Sequence, residues 1–258
     1  MVDIHCHILP GLDDGPVTLA ESVEMAKMAI ADGITHVVAT PHSSDRYKFE
    51  PELIRSRKDE LQGMIGDKLK LATGCDFHMN VENVRALRED PKRFTIHQKN
   101  YLLVEFADFS IPPQMDEILK EILVGGITPI ITHPERNPLL RSRRQRLAEW
   151  VQMGCFVQVT AQSLLGRFGQ SAQSAADRLL ADDSVHFVAS DAHNTKSRPL
   201  QLKEAFDAVA KRKGKQVASA LFRENPLAAF EGAPLPYVPE PKNLASAEPP
   251  PKKRFSFF

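Results

Sequence analysis

Seven short runs of apolar and β-branched residues alternate with helix-patterned segments along this chain, and that alternation constrains its fold more than any other feature. The runs are Val2–Cys6, Thr35–Thr40, Lys70–Gly74, Tyr101–Phe106, Thr128–Thr132, Phe156–Thr160 and Val185–Ser190. Helix-patterned segments lie between them at Leu19–Asp32, Pro51–Met64, Met115–Val124, Arg143–Met153 and Ala172–Leu180. Strands so continuously apolar are buried on both faces, which calls for a parallel sheet with helical crossovers. Thr18, with Glu21 three residues on, is a capping-box start, and Gly33, Gly126 and Gly154 sit where helices stop before the next strand. Polar residues follow nearly every run, as the active rim of a closed barrel requires, and this disfavours an open doubly wound sheet. The expectation is an α/β fold, a distorted seven-stranded (β/α) barrel of the TIM type.

Pro199–Arg212 and Lys215–Glu224 read as closing helices. From about Gly232 the composition shifts to Pro and small or polar residues, ending Pro249-Pro250-Pro251-Lys252-Lys253-Arg254-Phe255-Ser256-Phe257-Phe258. The barrel domain is therefore expected over 1–231, and 232–258 as a Pro-rich, disordered tail. The sharper reading of its ending is a basic-aromatic docking motif. Acidic and basic residues number 33 each, so no net field argues for nucleic acid or a membrane surface. Apolar runs such as Ile34 to Ala39 are too short to span a bilayer, and the start lacks a charged and then apolar leader. A cytoplasmic protein is expected. Cys6, Cys75 and Cys155 are odd in number and far apart, against a disulfide framework. Arg55, Arg57 and Lys58 read as a solvated face, with self-association into a homo-oligomer as the alternative.

Candidate metal ligands recur where the runs end. His5 and His7, one residue apart on a strand, point the same way. Asp13 and Asp14 follow in a Gly-rich turn, then His42, Asp76 with His78, Glu105, His133, and finally Asp191 and His193. Unpaired polar groups crowded at one barrel mouth would be costly, so their convergence points to bound metal. The donors are imidazole and carboxylate, a mixture that suits Mn2+, Fe2+ or Zn2+, and they are numerous enough for two or three bridged ions. Cys6 and Cys75 alternate away from them. His36, His97 and His186 lie away from the mouth and read as structural.

Asp3-Ile4-His5-Cys6-His7-Ile8-Leu9-Pro10-Gly11-Leu12-Asp13-Asp14-Gly15 resembles the opening of the PHP-type, manganese-dependent protein-tyrosine phosphatases of bacterial capsule and exopolysaccharide loci. The resemblance continues through Ala39-Thr40-Pro41-His42, Leu103-Val104-Glu105-Phe106, Thr132-His133-Pro134-Glu135-Arg136-Asn137, Thr160–Gly169 and Phe187–Asn194, running from Met1 to about Arg198. It implies a PHP fold with His5, His7 and Asp191 on one ion, Glu105 and His133 on a second, and Asp14, His42 and His193 on a third. The family's bridging glutamate is replaced here by Asp76, one methylene shorter, with His78 as an extra donor. Mn2+ is the implied metal, with Fe2+, Zn2+ or Co2+ as substitutes. Arg136 and Arg198 match the phosphate-binding arginines.

The activity this implies is hydrolysis of protein phosphotyrosine, by in-line attack of a metal-bridging hydroxide, with Asp191 or His193 as proton donor where one is needed. Its implied partner is a membrane-linked, autophosphorylating tyrosine kinase that regulates polysaccharide synthesis. A covalent cysteine phosphatase is excluded, because that chemistry needs Arg six residues after Cys. Here Leu12, Val81 and Ala161 occupy those places. A small-molecule phosphomonoesterase of the histidinol-phosphate type and a metal-stabilised regulatory scaffold remain the alternatives.

Overall fold

The computed structural model describes residues 1–242. Its strands are β1 (Val2–Cys6), β2 (His36–Ala39), β3 (His42–Ser43), β4 (Lys70–Thr73), β5 (Asp76–His78), β6 (Tyr101–Glu105), β7 (Thr128–Thr132), β8 (Phe156–Thr160) and β9 (Phe187–Ala189). All pair in parallel. The helices are α1 (Leu19–Ala31), α2 (Pro51–Ile65), α3 (Val81–Glu89), α4 (Met115–Val124), α5 (Pro138–Ser142) and α6 (Arg144–Met153). They continue with α7 (Ala161–Leu164), α8 (Gln170–Ala181), α9 (Lys203–Lys213), α10 (Lys215–Ser219) and α11 (Asn225–Glu231).

Two staves of the barrel are broken. β2 and β3 are halves of one, interrupted at Pro41, which has no N–H to donate; β4 and β5 are halves of the next, interrupted at Gly74-Cys75. Pairing resumes across the break, where Gly74 N donates to Ala39 O (2.8 Å) and Asp76 N to Pro41 O (3.2 Å). After β6, β7 and β8 comes β9, which returns to β1. Asp191 N donates to His5 O (2.9 Å) and His7 N to Ala192 O (2.8 Å), closing the circle. Counted as staves, the barrel has seven, as the periodicity implied. The breaks re-aim His42 and Asp76 at the strand ends.

Ile4, Val38, Ala72, Leu103, Ile130 and Phe187, from six different staves, form one buried cluster that fills the lumen. Phe230 of α11 joins it beside Val2 and Tyr101, closing the mouth where the strands begin. The opposite side chains of the staves, among them Val37, Leu102, Ile131 and Val157, pack in a larger cluster with Met25, Leu61, Leu119 and Trp150 of the helices. All three cysteines are buried and free.

Several local expectations change. α9 begins at Lys203 rather than Pro199, because Asp32 Oδ2 accepts from Leu202 N (2.6 Å) and Lys203 N (2.9 Å) and so caps it from across the chain. The closing helix runs beyond Glu224 through a π-helical turn at Ala220–Glu224 into α11. Pro226, which has no N–H to donate, follows just after that π-helical turn. α3, unread in the sequence, is capped by Asn80, whose side chain accepts from Asn83 N (2.7 Å).

Between Gly232 and residue 242 the described chain stays bonded to the barrel. Asn225 Nδ2 donates to Tyr237 O (2.7 Å), Tyr237 N returns a bond to Asn225 Oδ1 (3.1 Å), and Lys242 N donates to Asp182 O (2.8 Å). These bonds satisfy backbone groups that a free tail would leave to water. The Pro-rich and basic-aromatic ending lies outside the described residues. No helix among the described residues is long and apolar enough to cross a membrane.

Candidate metal centre

The rim at the strand C termini gathers all nine residues proposed as ligands. β1 and the turn after it present His5, His7 and Asp14; β3 presents His42, β5 Asp76 and β6 Glu105. His133 follows β7, and Asp191 and His193 follow β9. His133 and Asp191 both stand in the left-handed backbone region, at φ 32° and 52°. Such strain concentrates where a side chain must be aimed.

The donor atoms form four overlapping groups: His7, Asp14, His42 and His193; His5, His7 and Asp76; His5, His133 and Asp191; and His42, Asp76 and Glu105. Asp76 Oδ2 lies 3.4 Å from His5 Nε2 and 3.2 Å from His42 Nδ1. Aspartate therefore reaches both sides of the centre despite its missing methylene. Asp14 Oδ1 lies 3.4 Å from His42 Nε2 and 3.3 Å from His193 Nε2, and Glu105 Oε1 is 3.6 Å from His133 Nε2. Donors bound to one ion at about 2.1 Å stand about 3.0–3.4 Å apart, so these spacings match shared coordination.

Orphaned atoms give the second test of fit. Nε2 of His5, His7 and His193 and both oxygens of Asp76 are buried without a hydrogen-bond partner. Their outer nitrogens are all tied down. His5 Nδ1 donates to Gln158 Oε1 (2.9 Å), His7 Nδ1 to Asp13 Oδ2 (2.7 Å) and His193 Nδ1 to the Asp191 carbonyl (3.0 Å). That is how metal-binding histidines are held, with one nitrogen anchored and the other offered inward. Divalent ions fit this donor set.

Asp13 also accepts from Gly15 N (2.9 Å) and His42 N (3.1 Å), and so organises the turn rather than entering the centre. His78 stands at the edge, its Nε2 3.8 Å from Glu105 Oε2, outside the four groups. His36, His97 and His186 lie elsewhere, in contact with Phe230 or Phe156.

The charges of the centre are strongly coupled. Burial alone would lower His5, but Asp76 and Asp191 carry it up to about 9. Burial likewise opposes His42, and the carboxylates of Asp14 and Asp76 beside it take it to about 12. Burial, reinforced by the Asp76 charge, raises Glu105 to about 8. Asp76 and Asp191 resist burial and stay well below the usual carboxylate range because histidines surround them. Burial and then Arg136 push His133 down to about 3. Metal must displace the protons that these histidines and carboxylates share.

Arg136 and Arg198 meet on one atom. Both donate to Asp191 Oδ2, while Asp191 Oδ1 faces His5 (3.4 Å) and His7 (3.5 Å). The Phe168 ring lies beneath both guanidinium groups, 4.5 Å from Arg136 and 5.9 Å from Arg198. Phe168 and Gln158 escaped the sequence reading. Gln158, a lone amide in the apolar run Phe156–Thr160, was one readable signal; Phe168 lay within the family-like segment Thr160–Gly169 but was given no role. Glu135, fully buried, accepts from Thr160 N (2.9 Å) and Ser163 Oγ (2.7 Å) and anchors the turn that carries His133 and Arg136.

Barrel and rim together define the molecule as a candidate metallohydrolase. The chain belongs to the family described as capsular polysaccharide synthesis, CpsB/CapC, whose model matches residues 1–231. The tyrosine-protein phosphatase YwqE of Bacillus subtilis (strain 168) is 35% identical over 223 residues, 84% of this chain and 87% of that protein. The tyrosine-protein phosphatase CpsB of Streptococcus pneumoniae is 31% identical over 237 residues, 88% of this chain and 96% of that protein. A solved structure from work on YwqE and CpsB, described as unique metal-dependent tyrosine phosphatases, superposes with a TM-score of 0.85 at 33% identity, covering 93% of this chain and 99% of its own. An organophosphorus hydrolase variant (TM-score 0.57, 14% identity, 89% of this chain and 92% of its own) shares the fold alone.

Proposed function

We propose that this chain is a metal-dependent protein-tyrosine phosphatase of capsule or exopolysaccharide synthesis. The observation that carries the reading is the meeting of a nine-donor centre with two arginines through a single carboxylate, Asp191. Phosphate ester hydrolysis needs a neutral-pH nucleophile and compensation of charge on the phosphoryl oxygens; bound ions supply the first by bringing a water's pKa towards 7. His5, His7, Asp14, His42, Asp76, Glu105, His133, Asp191 and His193 would hold them, with Mn2+ as the resident metal. Arg136 and Arg198 offer N–H groups in the fork geometry that phosphoryl oxygens accept. Phe168 offers its ring to both guanidinium groups. His193, anchored at Nδ1 and offering Nε2 to the ions, keeps no ring nitrogen for the leaving-group proton, and a phenolate with a pKa of about 10 needs little such help.

The partner in this reading is a membrane-linked tyrosine kinase phosphorylated on its own tyrosines, met in the cytoplasm. Metal-stripped protein should hydrolyse a phosphotyrosine peptide only after Mn2+ is restored, and His5→Ala should lose that activity. Arg136→Ala and Arg198→Ala should raise KM. Histidinol phosphate serves as the competing substrate: a preference for it, or no turnover by fully loaded protein, would sink the proposal.

A further inference from the structure

A cleft of about 370 Å3 opens directly off the metal centre, with Glu105, His133 and Arg136 as its floor. Phe106, Ala107, Phe109 and Leu140 also line it, together with the polar His78, Asp108, Thr132 and Asn137. The volume is that of a site for a small organic group. Two other clefts, one beside Arg55 and Arg93 and one beside Arg167 and Glu204, contain none of the centre's residues. We infer that this cleft receives the tyrosine ring of the substrate and that Phe109 is the aromatic wall that recognises it, an inference resting on the phosphatase reading above.

Three observations support this occupant. First, Glu105 and His133 belong both to the donor centre and to this cleft, and Arg136 lines it too, so a phosphoryl group held by them would have this cleft beside it. Second, the walls are braced. Asn137 Nδ2 donates to Phe106 O (3.1 Å) and Ala107 O (3.2 Å), and its Oδ1 accepts from Leu139 N (2.9 Å) and Leu140 N (3.0 Å). Asn137 thus ties the β6 loop to α5, so that both sides of the cleft are held before any ligand arrives. Third, Phe109 is 89% exposed and is the one aromatic among the large hydrophobic residues left exposed in the described chain. Its ring gains nothing by packing in the free protein, yet borders a slot that leads to a phosphate site. An aromatic ligand ring entering there would stack on Phe109 or meet it edge to face.

Kinetics of metal-loaded wild type, Phe109→Ala and Phe109→Trp test this with a phosphotyrosine peptide, the same peptide carrying phosphoserine, and inorganic phosphate as inhibitor. Phe109→Ala should lower kcat/KM for phosphotyrosine roughly 3- to 10-fold, chiefly through KM. Phosphoserine turnover and inhibition by phosphate should not change, because neither ligand places a ring in the cleft. Phe109→Trp should restore the phosphotyrosine value. An unchanged phosphotyrosine KM in Phe109→Ala, or equal losses on both peptides, would overturn the assignment while leaving the phosphatase reading standing. Wild-type protein inactive on the phosphotyrosine peptide would overturn both.

Discussion

At the rim, each inward-facing imidazole depends on what holds its other nitrogen. His5 is aimed by Gln158, a residue 153 positions away. Removing that amide leaves His5 free to rotate and to take the wrong tautomer. Gln158→Ala should weaken Mn2+ binding about 10- to 100-fold, read by titration against a competing chelator, with the secondary structure intact. His186 makes a different point. Burial takes its imidazolium down to about 3, and its Nδ1 accepts from Val157 N (3.2 Å). Between pH 6.5 and 3 the unfolded chain binds the proton that the folded chain refuses, so stability falls as pH drops through that window. His186→Asn keeps an acceptor for Val157 but cannot titrate. Urea unfolding at pH 7 and pH 5 should show wild type losing about 2 kcal/mol more than this variant.

The interruptions in the staves matter more than the staves themselves. Pro41 and Gly74-Cys75 end regular pairing just before His42 and Asp76, and closure of β9 on β1 sets His7 against Asp191. The turn between β1 and α1 is equally constrained. A Cβ on Gly15 would lie 2.5 Å from the His7 carbonyl oxygen and 3.0 Å from Asp13 Oδ1. Both atoms belong to the clasp that orients His7. Gly15→Ala should therefore shift Asp13 and Asp14 together, reduce the bound metal counted by elemental analysis, and lower turnover about a hundredfold. Unaltered metal content would show that the turn yields without disturbing its ligands.

The molecule as a whole is sealed by its last described segment. Asn225 is buried and donates to both His186 O (2.9 Å) and Tyr237 O (2.7 Å), while Tyr101 Oη donates to Ala233 O (2.7 Å). α11 and the residues after it thus tie down the closed end of the barrel. Asn225→Ala leaves those carbonyls and Tyr237 N unpaired, and thermal or denaturant unfolding should show a loss of about 2–3 kcal/mol. Activity per folded molecule should stay unchanged, because the rim lies at the other end of the lumen.

The alternation of apolar runs with helical patterns, and the polar residues ending each run, determined the seven-stave barrel and the set of side chains that gathers at its rim. Both are local quantities, legible because strand and helix periodicities belong to neighbouring residues. The capping of α9 by Asp32 was not legible, since it depends on a partner 170 positions along the chain, whereas the breaks at Pro41 and Gly74 and the run of α11 past Pro226 carry local signals that the alternation of periods does not register. Nor did any pattern announce that Arg136 and Arg198, separated from Asp191 by 55 and 7 residues, would share its Oδ2 above the ring of Phe168. Sequence spacing specifies which donors each strand delivers. Only closure of the barrel decides which of them meet, because contact between staves is set by register and tilt around the whole circle.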